Sequence, residues 1–279
     1  MSLKQILVQA GVDEGAWRRA AIAADLASRF DADLAGVFLS PAAPSIYLGA
    51  GFEAAPPASV MRDLTEAHNR TVLANSKAAK ATLESAVNGK TIVWRELDGG
   101  APNELIEAAR GADLLIMPGP PENTREGVFA PADTVALSAG GPVIAVPDTS
   151  KATSVGRNIL VAWNGSRESA RALRDALPLL SKADQVSAVI VDHPAAARDG
   201  EQTLQAFLQR HGCRSVNVQR LPEGGRPPSE AILQHAAHVA QADLIVMGLY
   251  GHSRIREFIL GGVSREMLDD SPIPLLLSH

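Results

Sequence analysis

Three glycines near the C-terminus have the spacing of a loop that could hold an anion. Gly248, Gly251 and Gly261 form the pattern G-x2-G-x9-G, which begins where an apolar segment ends. Glycine lets a backbone approach a ligand closely and offer its N–H group. Free N–H groups at the start of a helix, together with the partial positive charge of that end, bind phosphate. The spacing therefore predicts a phosphate-binding loop between a strand and a helix.

The same register, read 130 residues earlier, carries prolines in place of the glycines. Pro118, Pro121 and Pro131 follow an apolar segment like the one before Gly248, but proline has no N–H group to offer. Residues 248–266 contain three arginines and two acids, a net charge of +1, whereas residues 118–136 contain one arginine and three acids, a net charge of −2. Glycine content and charge both favour a single anion site, in the C-terminal of these two stretches.

The match extends into a repeat that covers most of the chain. Apolar segments at 6–10 and 159–163 open the two copies, and helical and apolar extended segments alternate after each. Continuous apolar strands that alternate with helices are typical of a parallel sheet covered on both faces. We therefore predict an α/β fold of two tandem Rossmann-like domains, at 1–147 and 155–279, each with a five-stranded parallel-type sheet covered by helices on both faces.

Two details within the copies can also be predicted. Asn103 and Ser229 are each followed by an acid at the start of a helical stretch, so we predict them as N-caps of the third helix in each copy. Residues 40–59, rich in Pro, Ala and Gly, form an insertion in the first copy. We expect a loop packed on its own domain, with a lid or a partner-binding loop as the alternative.

Composition and charge exclude several classes of protein. The 279 residues are 46% hydrophobic and 20% charged, as in a globular chain, and the net charge of −5 argues against nucleic-acid binding. The single cysteine, Cys213, excludes an internal disulfide and a cysteine-cluster metal site. The sequence starts without a signal-peptide pattern and has no apolar run near the roughly 20 residues that cross a membrane. We expect a cytoplasmic protein without membrane contact.

Motifs for catalysis and metal binding are missing from the sequence. No residue pattern nominates a nucleophile or a general base, so we predict no catalytic residue. His235 and His238 lie three residues apart on a predicted helix, without a third ligand. We expect both to be exposed helix residues and predict no metal site.

The chain resembles a tandem universal stress protein of the UspA type over nearly all of both halves. The family's nucleotide-binding signature is G-x2-G-x9-G followed by Ser or Thr, and Gly248, Gly251 and Gly261 match its spacing. The resemblance implies the adenine nucleotide alpha hydrolase-like version of the Rossmann fold. It also implies a stress-response module that binds one adenine nucleotide (ATP, ADP or AMP), with or without Mg, in the second domain. Such a module acts as a sensor or regulator rather than as a fast catalyst.

The resemblance also assigns the positions that would contact the nucleotide. The exit of the first strand would hold the adenosine end, the end of the second strand would line the adenine pocket, and the signature would surround ribose and phosphates. The set is Ala162, Trp163, Asn164, Val191, Met247, Gly248, Gly251, His252, Arg254, Gly261, Gly262, Val263 and Ser264. For Trp163, packing in the core is the alternative to stacking on a base, and for His252 it is an ordinary surface position.

Two residues depart from the family pattern. Gly262 stands where the signature has Ser or Thr, which removes a hydroxyl group and keeps the N–H. Asn164 stands where an Asp is usual, and an amide has no charge to recruit a cation. Both favour nucleotide binding over turnover. A non-nucleotide-binding interaction scaffold and a slow ATP hydrolase are the alternative functions.

The first copy departs further, because Gly11 takes the Asn164 position and the three glycines are prolines. The resemblance implies a domain that keeps the fold without the nucleotide site. In dimers of single-domain members the last strands pair across the interface. We expect residues 142–146 and 273–278 to pair in this way within one chain, as an intramolecular pseudo-dimer. A further homodimer and a protein partner are left open.

Overall fold

The computed structural model describes residues 2–41, 58–87, 89–98, 102–120, 131–191, 200–213, 215–221, 225–250 and 262–279. The N-terminal half contains β1 (Gln5–Ala10), α1 (Ala16–Phe30), β2 (Asp33–Ser40), α2 (Ala58–Ala86), β3 (Val93–Asp98), α3 (Pro102–Arg110), β4 (Leu114–Pro118), α4 (Pro131–Ala139) and β5 (Val143–Val146). The C-terminal half contains β6 (Asn158–Trp163), α5 (Arg167–Asp175), α6 (Leu177–Leu180), β7 (Gln185–Val191), α7 (Gly200–Arg210), β8 (Val216–Leu221), α8 (Pro228–His238), β9 (Leu244–Gly248), α9 (Gly262–Asp270) and β10 (Leu275–Ser278).

The strands form one sheet in the order β3-β2-β1-β4-β5-β10-β9-β6-β7-β8. Neighbouring strands within each half are parallel. β5 and β10 are antiparallel, with Ile144 opposite Leu276. Two parallel five-stranded units therefore meet last strand to last strand, which confirms the predicted α/β fold class. The strand order reverses between β1 and β4 in one half and between β6 and β9 in the other.

Each face of the sheet carries one apolar layer that runs across both halves. One layer packs α1, α2, α5, α6 and α7 against the sheet, and the other packs α3, α4, α8 and α9. Leu276 and Ile144 belong to the first layer, and Leu275 and Leu277 belong to the second. Because side chains along a strand alternate between faces, the β5–β10 pair contributes to both layers.

Polar contacts fasten the end of α1 to the start of the second half. The Arg29 guanidinium donates to the carbonyl oxygen of Gly156 at 3.0 Å. The Ser154 hydroxyl donates to Asp25 at 2.8 Å, and the Lys182 ammonium donates to the carbonyl oxygen of Arg29 at 2.6 Å. The connection between the halves is therefore packed on α1.

Two helices begin earlier than predicted. α3 begins at Pro102, and α8 begins at Pro228 after Pro227 as its N-cap. The prediction of Asn103 and Ser229 as N-caps was wrong. A proline at the first helical position has a suitable φ, and its missing N–H would have had no partner there.

The insertion predicted at 40–59 lies outside the described residues from 42 to 57. The helix that follows, α2, is 29 residues long and mostly exposed from 58 to 75. Among the described residues, no helix combines the length and the apolar character needed to cross a membrane.

We predict that Leu276→Ala destabilises both halves together. Leu276 is fully buried where the halves meet, and a cavity there should lower the free energy of unfolding by about 2–5 kcal/mol. Leu73→Ala on the exposed part of α2 is the control, with an expected change below about 0.5 kcal/mol. Urea unfolding followed by circular dichroism measures both. Two well-separated transitions in the unsubstituted chain would contradict a shared core.

Candidate functional site

The carboxyl ends of β6 and β9 lie side by side where the strand order of the C-terminal half reverses. Ligands of open parallel sheets bind in the crevice at this position. β6 ends at Trp163 and β9 ends at Gly248, so the sheet brings together the two strand exits that the sequence assigned to one site.

Asn164 builds the turn that leads from β6 into α5. Its Oδ1 accepts a hydrogen bond from the N–H of Ser166 at 3.0 Å, and Gly165 between them has a left-handed φ of 76°. The Ser166 hydroxyl then caps α5 by accepting from the N–H of Ser169 at 3.1 Å. The amide oxygen of Asn164 is thus used by the turn, which leaves its Nδ2 group for a ligand.

The residues at the end of β6 point to opposite faces of the sheet. Trp163 is half-buried and packs against the apolar layer that contains α5, whereas Ala162 packs against the other layer. This position agrees with core packing, the alternative considered for Trp163.

Gly248 is required by the close approach of α5. A Cβ at this position would lie 2.4 Å from the carbonyl carbon of Glu168 and 2.5 Å from the backbone nitrogen of Ser169. Helix backbone cannot move aside as a flexible side chain can. The first glycine of the pattern therefore has a packing role that is independent of any ligand.

Two more predicted residues lie at strand ends. Met247 is 4% exposed and belongs to the apolar layer beneath α8 and α9. Val191 is the last residue of β7 and pairs with Leu221 of β8. Met247 is therefore a core residue under the crevice, and Val191 can offer only backbone groups at the next strand end.

α9 begins at Gly262, directly after the third glycine of the pattern. Val263 packs against the apolar layer, and Ser264 is buried. The Oγ of Ser264 accepts a hydrogen bond from the N–H of Tyr250 at 3.3 Å. Ser264 thus ties the start of α9 to the exit of β9.

A carboxylate lies beside the first turn of α9. The Oε1 of Glu266 is 3.4 Å from the position of a Cβ at Gly262, and its Oε2 accepts a hydrogen bond from the Ser229 hydroxyl. The partial positive charge of the helix start favours an anion, while this carboxylate opposes it. The electrostatics of the helix start are therefore mixed.

The other predicted site residues, Gly251, His252, Arg254 and Gly261, lie outside the described residues. Within the described ranges, no cluster of three or more His, Cys, Asp or Glu residues is placed to hold a metal ion. His238 is exposed as expected, but His235 is only 6% exposed, and burial lowers the pKa of its imidazole. The prediction of two exposed histidines was therefore wrong for His235, which faces the core from α8.

A hydrogen bond joins the exit of β9 to α4 of the N-terminal half. The Tyr250 hydroxyl donates to the Oδ2 of Asp133 in α4 at 2.6 Å. Asp133 is 3% exposed, and its Oδ1 has no hydrogen-bond partner among the described residues. Sequence reasoning missed this contact, because the two residues are 117 positions apart and neither is one of the residues that define the glycine or proline register.

Burial raises the pKa of Asp133 to about 6. The hydrogen bond from Tyr250 lowers this pKa, the negative charge of Asp269 raises it, and the positive charge of Arg265 lowers it. A carboxyl group with a raised pKa binds its proton more tightly in the folded state than in the unfolded chain. The contribution of Asp133 to the free energy of unfolding therefore falls as the pH rises from about 4 to about 6.

The matching crevice of the N-terminal half is filled by a side chain. Arg19 lies four residues after the N-cap of α1 and is 1% exposed. Its guanidinium donates two hydrogen bonds to Asp13, at 2.8 and 2.6 Å, and one to the carbonyl oxygen of Gln9 at 3.2 Å. Four residues after the N-cap of α5, the corresponding position holds Ala170. An ion pair thus lies beside the end of β1, whereas the corresponding helix position of the C-terminal half carries only the methyl group of Ala170.

The C-terminal half also matches a known protein family by sequence. Residues 156–279 match the universal stress protein family. No curated protein matched the chain.

The whole chain is similar in fold to solved structures. A universal stress protein from Archaeoglobus fulgidus DSM 4304 is 16% identical, with a TM-score of 0.71 over 99% of this chain and 96% of that one. A putative universal stress protein from Pseudomonas aeruginosa UCBPP-PA14 is 14% identical, with a TM-score of 0.57 over 99% and 93% of the two chains. A universal stress protein solved in complex with cAMP is 24% identical, with a TM-score of 0.36 over 43% of this chain and 94% of that one. At these identities the first two likenesses show the fold alone.

We predict that substitutions of Gly248 and Gly262 affect stability to different degrees. Gly248→Ala should lower the free energy of unfolding by about 1–3 kcal/mol or more, because its Cβ would overlap the α5 backbone. Gly262→Ala should change it by less than about 0.5 kcal/mol, because its Cβ meets only the flexible end of Glu266. Thermal unfolding of both variants measures the difference. Equal stabilities would show that α5 does not impose the glycine.

We predict that Asp133→Asn stabilises the protein at pH 8. Asn keeps an acceptor for Tyr250 and removes a buried charge, so the gain should be about 3 kcal/mol at pH 8 and should vanish as the pH falls to 4. Urea unfolding at pH 4, 6 and 8 measures it. Asp184→Asn, at an exposed side chain, is the control and should show little pH dependence. A gain for Asp133→Asn that is equal at all three pH values would contradict the raised pKa.

Proposed function

We propose that this chain, whose C-terminal half belongs to the universal stress protein family, binds one adenine nucleotide in the crevice between the ends of β6 and β9. It would act as a stress-response sensor or regulator in the cytoplasm rather than as a fast catalyst. The observation that carries the proposal is the difference between the two crevices. One is filled by the buried guanidinium of Arg19, and the other has Ala170 at that position.

The adenosine end would lie at the exits of β6 and β7. The Nδ2 group of Asn164 is a hydrogen-bond donor suited to a ribose hydroxyl, and its Oδ1 is held by the turn. The backbone of Val191 would line the base. Asn164 has no charge, so a magnesium ion, where present, would be held mainly by the phosphates of the nucleotide.

The phosphate end would lie at the start of α9. The N–H groups of the first turn, from Gly262 to Ser264, would donate to phosphate oxygens together with those of Gly251 and Gly261. Glu266 beside this turn reduces the net positive field, which supports moderate affinity rather than tight retention of ATP.

The N-terminal half would serve as a partner without a nucleotide of its own. With 1–147 and 155–279 as the two domains, the antiparallel pairing of their last strands, β5 and β10, supports an intramolecular pseudo-dimer. Pro118 at the end of β4 and the Arg19–Asp13 pair beside β1 both support a binding stoichiometry of one nucleotide per chain.

Calorimetry with ATP, ADP and AMP tests the proposal. We expect one site per chain, and loss of binding in Gly261→Pro, which removes an N–H donor from the loop. Leu73→Ala, on the exposed part of α2, is the control, with an affinity expected to equal that of the unsubstituted chain. No measurable heat at millimolar nucleotide would reject nucleotide binding and favour an interaction scaffold. Phosphate release above the buffer rate that requires a divalent cation would replace the regulator by a slow hydrolase.

A further inference from the structure

We propose that α4 of the N-terminal half positions the nucleotide loop of the C-terminal half, through the buried hydrogen bond from Tyr250 to Asp133. Nucleotide affinity would then depend on a residue of the half that has no nucleotide site. This inference rests on the function proposed above and names how the site is regulated within one chain.

Tyr250 lies where the chain leaves β9 and is held at several points. Its backbone N–H donates to Ser264 in α9, its hydroxyl donates to Asp133 in α4, and its ring packs against the apolar layer. The preceding N–H, of Leu249, donates to the carbonyl oxygen of Ser278 at 2.9 Å. The exit of β9, the start of α9 and α4 are therefore joined at one residue.

The backbone of Tyr250 has a φ of 51°, in the left-handed region that residues other than glycine seldom adopt. Such a conformation persists only where surrounding contacts hold it. The bond to Asp133 is one of these contacts. Its removal would allow the chain to relax at the point where it enters the glycine pattern.

Asp133 faces both ends of the pattern. Tyr250 reaches it from the exit of β9, and the charges of Arg265 and Asp269 act on it from α9. These two residues form an ion pair with each other at 3.5 Å. Asp133 lies in the first turn of α4 and is almost completely buried, so a change in its position or charge must be transmitted to both elements.

The contact has no equivalent in the reverse direction. In the register of 130 residues that relates the two copies, Tyr250 corresponds to Pro120 and Asp133 corresponds to Val263. Proline and valine side chains cannot form this hydrogen bond. The hydrogen bond therefore links α4 of the half without the site to the exit of β9, and the register positions of the reverse pair, Val263 and Pro120, cannot form it.

Four variants of the full chain and one control variant, titrated with ATP at pH 7.5, test the proposal. Tyr250→Phe and Asp133→Ala should each weaken binding by roughly fivefold or more, and the double variant should be no weaker than the weaker single one. Asp133→Asn keeps a neutral acceptor, which is weaker than a carboxylate, and should weaken binding by about two- to threefold. Asp184→Asn makes the same change at an exposed position and should leave affinity unchanged.

The Asn variant separates positioning from simple stabilisation. It is expected to be more stable than the unsubstituted chain at pH 7.5 and yet to bind ATP more weakly, with the difference in affinity becoming smaller at pH 5.5, where a larger share of Asp133 is protonated. If affinity follows stability across the variants, or if Tyr250→Phe binds as tightly as the unsubstituted chain, the inference is overturned while the proposed function stands. Failure of the unsubstituted chain to bind ATP, ADP or AMP overturns both. If Asp133→Ala does not fold, Tyr250→Phe and Asp133→Asn decide the question alone.

Discussion

The antiparallel pairing of β5 with β10 is the constraint on which the rest of the structure depends. A parallel five-stranded sheet leaves the backbone groups of its last strand unpaired, and each half covers that edge with the last strand of the other. Because β4 and β9 flank the pair in the sheet, the helices that follow them come close across the junction. α4 contacts β10, and from there Asp133 reaches Tyr250. The coupling of the halves thus follows from the way their edges are satisfied.

The two halves show how one fold can carry different chemistry at the same position. Both reverse their strand order beside the first strand, and both begin the next helix from a short turn. In one half a buried guanidinium bonds to Asp13 and to backbone at this place, and removal of Asp13 would leave the buried positive charge without its counter-ion. In the other half the methyl side chain of Ala170 has no charge that needs a partner.

The sequence was sufficient to predict the α/β class and most elements, because continuous apolar strands and a repeat register are local signals. The predicted starts of α3 and α8 were wrong because two local preferences compete there. Proline favours the first helical position, and at Pro102 and Pro228 it outweighs the N-cap preference of the residue that follows. The role of Gly248 was only half predicted. The sequence predicts Gly248 as a ligand contact, whereas the structure shows that the backbone of α5 also leaves no room for a side chain there. The link between Asp133 and Tyr250 depends on how the two halves meet at β5 and β10, which no local pattern encodes.

Several polar side chains at the crevice are used to hold the strand exits in place. Among the described residues, the acceptor oxygens are already engaged: Asn164 Oδ1 bonds to the turn and Ser264 Oγ accepts from Tyr250. Two nearby carboxylates are also bonded, since Glu168 pairs with Arg167 at 2.9 Å and Glu266 accepts from the Ser229 hydroxyl. What remains is a set of N–H donors from the Asn164 amide and the start of α9. Donors of this kind can hold the oxygens of a ribose and of phosphates.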